Sequence, residues 1–177
     1  MQASSQSALA RISRDIRAIL AAIAITMIAS PTLAVGVGDL APPFALPAAN
    51  GESISLEKLR GKIVYVDFWA SWCAPCRRSF PWMNEIQQRY GSQGVAIVAI
   101  NVDAKREDAN RFLRQYPASF VVAFYGSGAT PGAYDAKAMP SSYLIDGKGR
   151  IVVVEQGFRD EDRDALEGKI RSLIAPR

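Results

Sequence analysis

The chain contains no histidine and only two cysteines among its 177 residues. A structural zinc site needs four ligands, almost always cysteine or histidine, so this composition argues strongly against a zinc site within one chain. Two cysteines also cannot form a scaffold of several disulfides that close long loops. A net charge of +4, without a basic patch of interspersed aromatic residues, does not indicate nucleic-acid binding. We expect neither a metal nor a cofactor.

No hydrophobic run reaches the roughly 20 residues that a transmembrane helix needs. The almost entirely apolar segment 18–29 is shorter than that and follows three arginines. Such a segment, followed by small side chains at Thr32 and Ala34, is typical of a secretory signal cleaved after Ala34. Residues 1–34 are therefore predicted to be a signal peptide or, if uncleaved, an N-terminal membrane anchor. Residues 35–177 are predicted to form one domain in the periplasm or at the extracytoplasmic face of the inner membrane.

The two cysteines stand close together in Trp72-Cys73-Ala74-Pro75-Cys76. A disulfide over this interval closes almost no loop and adds little stability, so the thiols are interpreted as reactive groups. A helix is predicted from Cys73 to Tyr90, with Pro75 suited to its first turn. Unpaired N–H groups and the helix dipole stabilise a thiolate there. Cys73 is therefore expected to be the exposed nucleophile, and Cys76 the more buried thiol that resolves the mixed disulfide.

The rest of the sequence alternates between strand and helix patterns. Asn50-Gly51 predicts the turn of an N-terminal β-hairpin, and Asp146-Gly147-Lys148-Gly149 predicts an antiparallel hairpin near the C-terminus. The order predicts an α/β fold, a central mixed sheet flanked by helices. The predicted strands are 44–46, 53–55, 63–70, 95–100, 120–124, 141–145 and 151–154; the other helices are 107–115 and 160–174, with a helical turn at 56–59 and a loop at 126–132.

The segment from Val66 to Cys76, with Pro81 five positions beyond, resembles the active-site strand and kinked helix of the thioredoxin superfamily. The N-terminal hairpin, a central insertion around 102–124 and the segment 139–146 (Met-Pro-Ser-Ser-Tyr-Leu-Ile-Asp) are similar to the TlpA/ResA-like extracytoplasmic thiol-disulfide oxidoreductases. The resemblance covers residues 36–175. It implies a thioredoxin-like fold and disulfide exchange with partner proteins through the two cysteines.

The resemblance also implies a substrate-contacting surface beside the thiols. Pro140 would be a cis-proline that turns the Met139 backbone toward an incoming peptide; the alternative is a trans-proline that opens a strand. Trp72 is expected to form an apolar contact beside Cys73. Together with Pro75, Met139 and Trp72 are the predicted substrate-binding residues.

Asp67 is the one charged residue inside the apolar segment 63–70. Burial should raise the pKa of its carboxyl group. The resemblance aligns it with the buried acid of thioredoxin, a general base that helps to deprotonate the second cysteine, here Cys76; the alternative is a structural pair with Lys62. Many TlpA/ResA-like proteins have a glutamate where this chain has Ser79, so its thiols are expected to titrate differently.

These residues indicate a thiol-disulfide oxidoreductase that acts mostly as a reductant of protein disulfides in an oxidising compartment. No pattern in the sequence indicates an interface, so we expect a monomer. Such work requires electrons from a membrane thiol-electron donor, and the family resemblance points to apocytochrome c or copper-site assembly proteins as substrates. The alternative is a Cu(I)-handling protein, because soft thiolates select Cu(I) and Met139 is expected nearby. The absence of histidine counts against it.

Overall fold

Strands and helices alternate along the part of the chain that the computed structural model describes, residues 35–125 and 130–174. The predicted signal segment, residues 1–34, lies outside it. The strands are β1 (Ala45–Pro47), β2 (Ser53–Ser55), β3 (Ile63–Trp69), β4 (Val95–Asn101), β5 (Val121–Phe124), β6 (Ser141–Ile145) and β7 (Ile151–Gln156). The helices are α1 (Cys76–Tyr90), α2 (Arg106–Gln115), α3 (Thr130–Ala133) and α4 (Arg163–Ile174), with 3-10 turns at Glu57–Leu59, Gly91–Gln93 and Asp160–Asp162.

A five-stranded sheet in the order β5-β4-β3-β6-β7 forms the centre of the fold. β3, β4 and β5 run parallel, β6 runs antiparallel to β3, and β7 runs antiparallel to β6. β1 and β2 pair as a separate antiparallel hairpin, and the insertion around 102–124 contains α2 and β5. The predicted mixed sheet with flanking helices and an N-terminal hairpin is therefore confirmed.

β3 lies in the middle of the sheet, and all seven of its residues are buried. Successive side chains of a strand point to opposite faces. Tyr65 and Trp69 pack in one cluster with residues of α1, α2 and α4, whereas Val66 and Phe68 pack in a second cluster with residues of the hairpin. By the same alternation, Asp67 lies on the face that α1 covers.

α1 begins at Cys76, three residues later than predicted. Pro75 is its N-cap residue and has helical backbone angles. The residues between β3 and α1 form turns, in which the Cys73 N–H donates to the carbonyl of Ala70 at 3.1 Å. Cys73 therefore precedes the helix and faces its first N–H groups instead of contributing to them.

Two other helix boundaries also differ from the prediction. α3 begins at Thr130 within the segment predicted to be a loop, and Pro131 in its first turn suits a helix start. The C-terminal helix is preceded by a 3-10 turn at Asp160–Asp162, so α4 starts only at Arg163. Within the described residues, none of the helices has the length and hydrophobicity of a membrane span.

Candidate active site

The two cysteines form a disulfide where the chain passes from the carboxyl end of β3 into α1. Their Cα atoms are 5.3 Å apart. The N–H of Cys76, the first residue of α1, donates to the sulfur of Cys73 at 3.1 Å. A helix N-terminus carries partial positive charge and unpaired N–H groups. This contact therefore places Cys73 where a thiolate is stabilised in the reduced protein.

The burial of the thiols agrees only in part with the sequence prediction. Cys76 is fully buried and Cys73 is 3% exposed, so Cys76 is the more buried of the two, as expected. The prediction that Cys73 is exposed is wrong for this disulfide form. Its sulfur is bonded inward to Cys76, and both side chains belong to the buried cluster on the α1 side of the sheet.

Asp67 is a fully buried carboxyl group in the centre of β3. Its Oδ1 accepts a hydrogen bond from the hydroxyl of Ser142 at 2.7 Å, and its Oδ2 has no hydrogen-bond partner. Burial raises the pKa of Asp67 from 3.8 to about 7, and the Ser142 hydrogen bond offsets part of the rise. The predicted rise is confirmed, and the partner of the carboxyl group is Ser142 rather than Lys62.

The Met139–Pro140 peptide bond is cis, as the family resemblance implies. Pro140 is buried and directly precedes β6, whose first residue pairs with Phe68 near the end of β3. Met139 is half-buried and packs against the cluster that contains both cysteines. The cis bond therefore lies at the edge of the sheet from which the cysteine loop leaves.

Trp72 and Trp69 have opposite environments although only three positions separate them. Trp72 is 69% exposed and leaves an indole ring on the surface beside Cys73. Trp69 is fully buried, and its ring centroid lies 4.8 Å from those of Phe80 and Phe112. Pro75 is half-buried. Trp69 is therefore a core residue, and the prediction of Trp72 as an apolar surface beside Cys73 agrees with its exposure.

A polar network that the sequence interpretation missed holds the loop before Cys73. Oδ2 of Asp103 accepts from the backbone N–H of Ser71 at 2.9 Å, and its Oδ1 accepts from the Ser71 hydroxyl at 3.0 Å. Asn101 donates to the same carboxylate at 2.8 Å. Because β3 and β4 are parallel neighbours, polar residues just after the end of β4 lie beside the end of β3. The polar residues of Asn101-Val102-Asp103, directly at the end of β4, could have indicated this network from the sequence.

The residues after the disulfide are held by local contacts. Ser79 is buried, and its hydroxyl donates to the Cys76 carbonyl at 3.2 Å. Arg78 donates to the carbonyl of Phe158 at 3.3 Å and lies 3.5 Å from a carboxylate oxygen of Asp160. Arg77 is exposed. In the described part of the chain, no group of three or more Cys, Asp or Glu side chains is placed to hold a metal ion.

Comparisons with known proteins agree on fold and chemistry. The Redoxin family model matches residues 36–170. The thiol-disulfide oxidoreductase ResA of Bacillus subtilis (strain 168) is 36% identical over 127 residues, which is 72% of this chain and 71% of that protein. ResA of Bacillus cereus (strain ZK / E33L) is 34% identical over 137 residues, which is 77% of this chain and 78% of that protein.

Solved structures give the same result for the fold. A crystal structure from Chlorobium tepidum, assigned as the thiol:disulfide interchange protein DsbE, is 48% identical with a TM-score of 0.77 and covers 80% of this chain and 100% of that one. The thioredoxin domain of a thiol-disulfide oxidoreductase from Bacteroides vulgatus has a TM-score of 0.70 at 24% identity and covers 77% of this chain and 99% of that one. At that identity the likeness concerns the fold alone. The predicted thioredoxin-like fold is confirmed.

Proposed function

This chain belongs to the Redoxin family and is a thioredoxin-like thiol-disulfide oxidoreductase of the TlpA/ResA type, and from that premise we propose that it is an extracytoplasmic reductant of protein disulfides. The observation that carries the proposal is the placement of the Cys73–Cys76 pair. The Cys76 N–H at the start of α1 contacts the Cys73 sulfur, and a buried carboxyl group, Asp67, lies on the α1 face of the sheet.

Substrate reduction starts from the dithiol form of the protein. The Cys73 thiolate attacks one sulfur of a substrate disulfide, so a Cys73–substrate disulfide forms and the other substrate sulfur leaves as a thiolate that takes up a proton. Cys76 then gives its proton to Asp67 and attacks the Cys73 sulfur. The mixed disulfide breaks, and the second substrate sulfur leaves as a thiolate that takes up a proton. Two electrons pass to the substrate, and the protein ends as the Cys73–Cys76 disulfide.

The surface around the thiols supports a protein as the substrate. Trp72 is exposed beside Cys73, and Met139 is half-buried on the cis-proline side. An exposed indole is suited to apolar contact with a partner. We assign Trp72, Pro75 and Met139 to the docking of a cysteine-containing segment, with the backbone of Met139 pairing in strand fashion ahead of Pro140.

The export signal predicted at residues 1–34 supports the periplasm or the extracytoplasmic face of the inner membrane as the location, with a tether if the signal is retained. A reductant in that oxidising compartment must be re-reduced after each turnover, and a membrane thiol-electron donor meets this need. The resemblance to TlpA/ResA-like proteins supports apocytochrome c or copper-site assembly proteins as substrates. We propose that the protein acts as a monomer.

Insulin reduction tests the activity, with Cys73→Ser as the matched control because it removes one sulfur and keeps the shape of the loop. Wild type should precipitate insulin in the presence of a dithiol, and Cys73→Ser should not. Equal rates, together with tight Cu(I) binding by wild type, would instead support the Cu(I)-handling alternative. The substrate is tested with Cys76→Ser, which cannot resolve its mixed disulfide. Proteins trapped on Cys73 in the cell envelope should include apocytochrome c or a copper-site assembly protein.

A further inference from the structure

The two oxygens of the Asp67 carboxyl group have different environments. Oδ1 is held by the Ser142 hydroxyl at 2.7 Å, and Oδ2 is buried without a hydrogen-bond partner. A buried polar atom without a partner costs free energy and is uncommon in folded proteins. Asp67 shares its face of the sheet with Tyr65 and Trp69, which pack in the cluster that contains Cys76. The unpaired oxygen therefore belongs to the side of the sheet where the resolving thiol lies.

Ser142 is fixed more firmly than a serine in a loop would be. It lies in β6 between two other strands, pairing with Asp67 of β3 on one side and with Glu155 of β7 on the other. Only 2% of its surface is exposed. Its hydroxyl consequently holds Oδ1 in one position, and the carboxyl group cannot rotate about its last bond without losing that hydrogen bond.

We propose that Ser142 is a positioning residue for the resolving step: by holding Oδ1 of Asp67, its hydroxyl reserves Oδ2 as the atom that accepts the proton of Cys76. The inference rests on the proposed role of Asp67 as a base. In this step the S–H bond of Cys76 breaks, an O–H bond forms at Oδ2, and the Cys76 electron pair forms a bond to the Cys73 sulfur. The bond between Cys73 and the substrate sulfur breaks, and that sulfur leaves as a thiolate. Ser142 gains and loses no proton overall.

The hydrogen bond also affects when the carboxyl group is charged. A donor to the carboxylate stabilises its charged form, and the Ser142 hydroxyl lowers the pKa of Asp67 against the effect of burial. Among the described residues, Tyr65 lies on the same face of β3 as Asp67, and Glu155 of β7 is in register with Ser142 and Asp67. The cluster on this face also contains both cysteines. The pKa of Tyr65 is raised, chiefly by burial and then by the charge of Asp67. Arg159, Asp162 and Arg163 of the C-terminal segment lie at the crevice that Tyr65 and Glu155 line.

Three variants of the full chain test the role of Ser142. Ser142→Ala removes the hydroxyl with almost no change in volume, and Ser142→Thr keeps it. Ser141→Ala is the matched control, because Ser141 is an equally buried neighbour whose hydroxyl donates to the carbonyl of Ala138 rather than to Asp67. Two quantities are measured in each variant. They are the titration midpoint of the Asp67 carboxyl carbon by NMR of the reduced protein, and the pH dependence of the resolving step.

The resolving step is followed with 5,5′-dithiobis-(2-nitrobenzoate), since Cys76 releases a coloured thiolate when it attacks the mixed disulfide on Cys73. The hydrogen bond from Ser142 stabilises the charged form of Asp67. We therefore expect Ser142→Ala to raise the midpoints of the carboxyl titration and of the resolving step by about one pH unit. Ser142→Thr and Ser141→Ala should keep both near the wild-type values. Unmoved midpoints in Ser142→Ala, an equal shift in Ser141→Ala, or a carboxyl shift that the resolving step does not follow would each overturn the role of Ser142. Failure of wild type to reduce insulin would instead contradict the proposed function.

Discussion

Replacing Asp67 with asparagine should stabilise the oxidised protein relative to wild type at alkaline pH, and this advantage should be lost at acid pH. The carboxyl group is fully buried, and its pKa in the folded protein is raised from 3.8 to about 7. The unfolded chain therefore loses the proton at a lower pH than the folded protein does. Folding stability falls as the pH rises between these two pKa values and is constant above them.

The two pKa values of Asp67 give the size of the effect. A shift from 3.8 to about 7 lowers the free energy of unfolding by about 4 kcal/mol over the whole interval. About 2.5 kcal/mol of this is lost between about pH 5 and about pH 8. Asparagine keeps an acceptor for Ser142 but places an amide group where Oδ2 had no partner, at a cost of about 1–3 kcal/mol that does not depend on pH. The pH dependence of the stability difference between variant and wild type therefore reports only the cost of burying the Asp67 charge.

Urea unfolding of the oxidised proteins, followed by tryptophan fluorescence, measures this change. The free energy of unfolding is determined for wild type and Asp67→Asn at about pH 5 and about pH 8. The difference between variant and wild type should grow by about 2.5 kcal/mol in favour of the variant at the higher pH. Other titrating groups cancel in this comparison. A constant difference would show that Asp67 is ionised in the folded protein throughout, and it would refute the argument from burial.

Three further substitutions separate contact, positioning and thiol tuning. Trp72→Ala should change the free energy of unfolding by less than about 0.5 kcal/mol, because the side chain is 69% exposed. It should lower kcat/KM for insulin but not for a small disulfide. An equal loss of kcat/KM with both substrates would contradict a docking role. Asp103→Ala should lower the free energy of unfolding by about 1–3 kcal/mol, because the Ser71 amide loses its acceptor. It should also speed hydrogen exchange of the Ser71 amide. Unchanged exchange would count against a role of Asp103 in holding this loop. Ser79→Glu should move thiol titration, followed by ultraviolet absorbance, to higher pH through repulsion of the thiolates; an unchanged titration would exclude a tuning role.

The order of strands and helices could be predicted because most of the elements have strong local patterns. β3 consists almost entirely of β-branched and aromatic residues around Asp67, and Asn50-Gly51 and Asp146-Gly147 mark the turns of the two hairpins. The start of α1 was predicted three residues early. The run of apolar residues typical of a strand ends at Ala70. No local feature of the sequence distinguishes a helix that begins at Cys73 from a turn that leads to Pro75.

Two partners in the site depend on strand register, which the sequence does not reveal. Ser142 is 75 positions from Asp67 and meets it only because β6 pairs antiparallel with β3 in one register. A shift of one residue would point the Ser142 side chain to the opposite face. Asp103 reaches Ser71 because β4 is the parallel neighbour of β3. The cysteine motif could be recognised locally, whereas the partners of Asp67 and of the loop before Cys73 come from distant segments.

The environment of Ser79 bears on the proposal that Asp67 accepts the proton of Cys76. A glutamate at this position, as the family resemblance leads us to expect, would offer a second acid in the first turns of α1. The Ser79 hydroxyl does not titrate near neutral pH and is already bonded to the Cys76 carbonyl. Asp67, with a pKa of about 7, is the buried acid on the face that α1 covers. The best base near neutral pH is one whose pKa matches the surrounding pH. The proposed proton transfer therefore needs only one buried carboxyl group, Asp67 held by Ser142, and no acid at position 79.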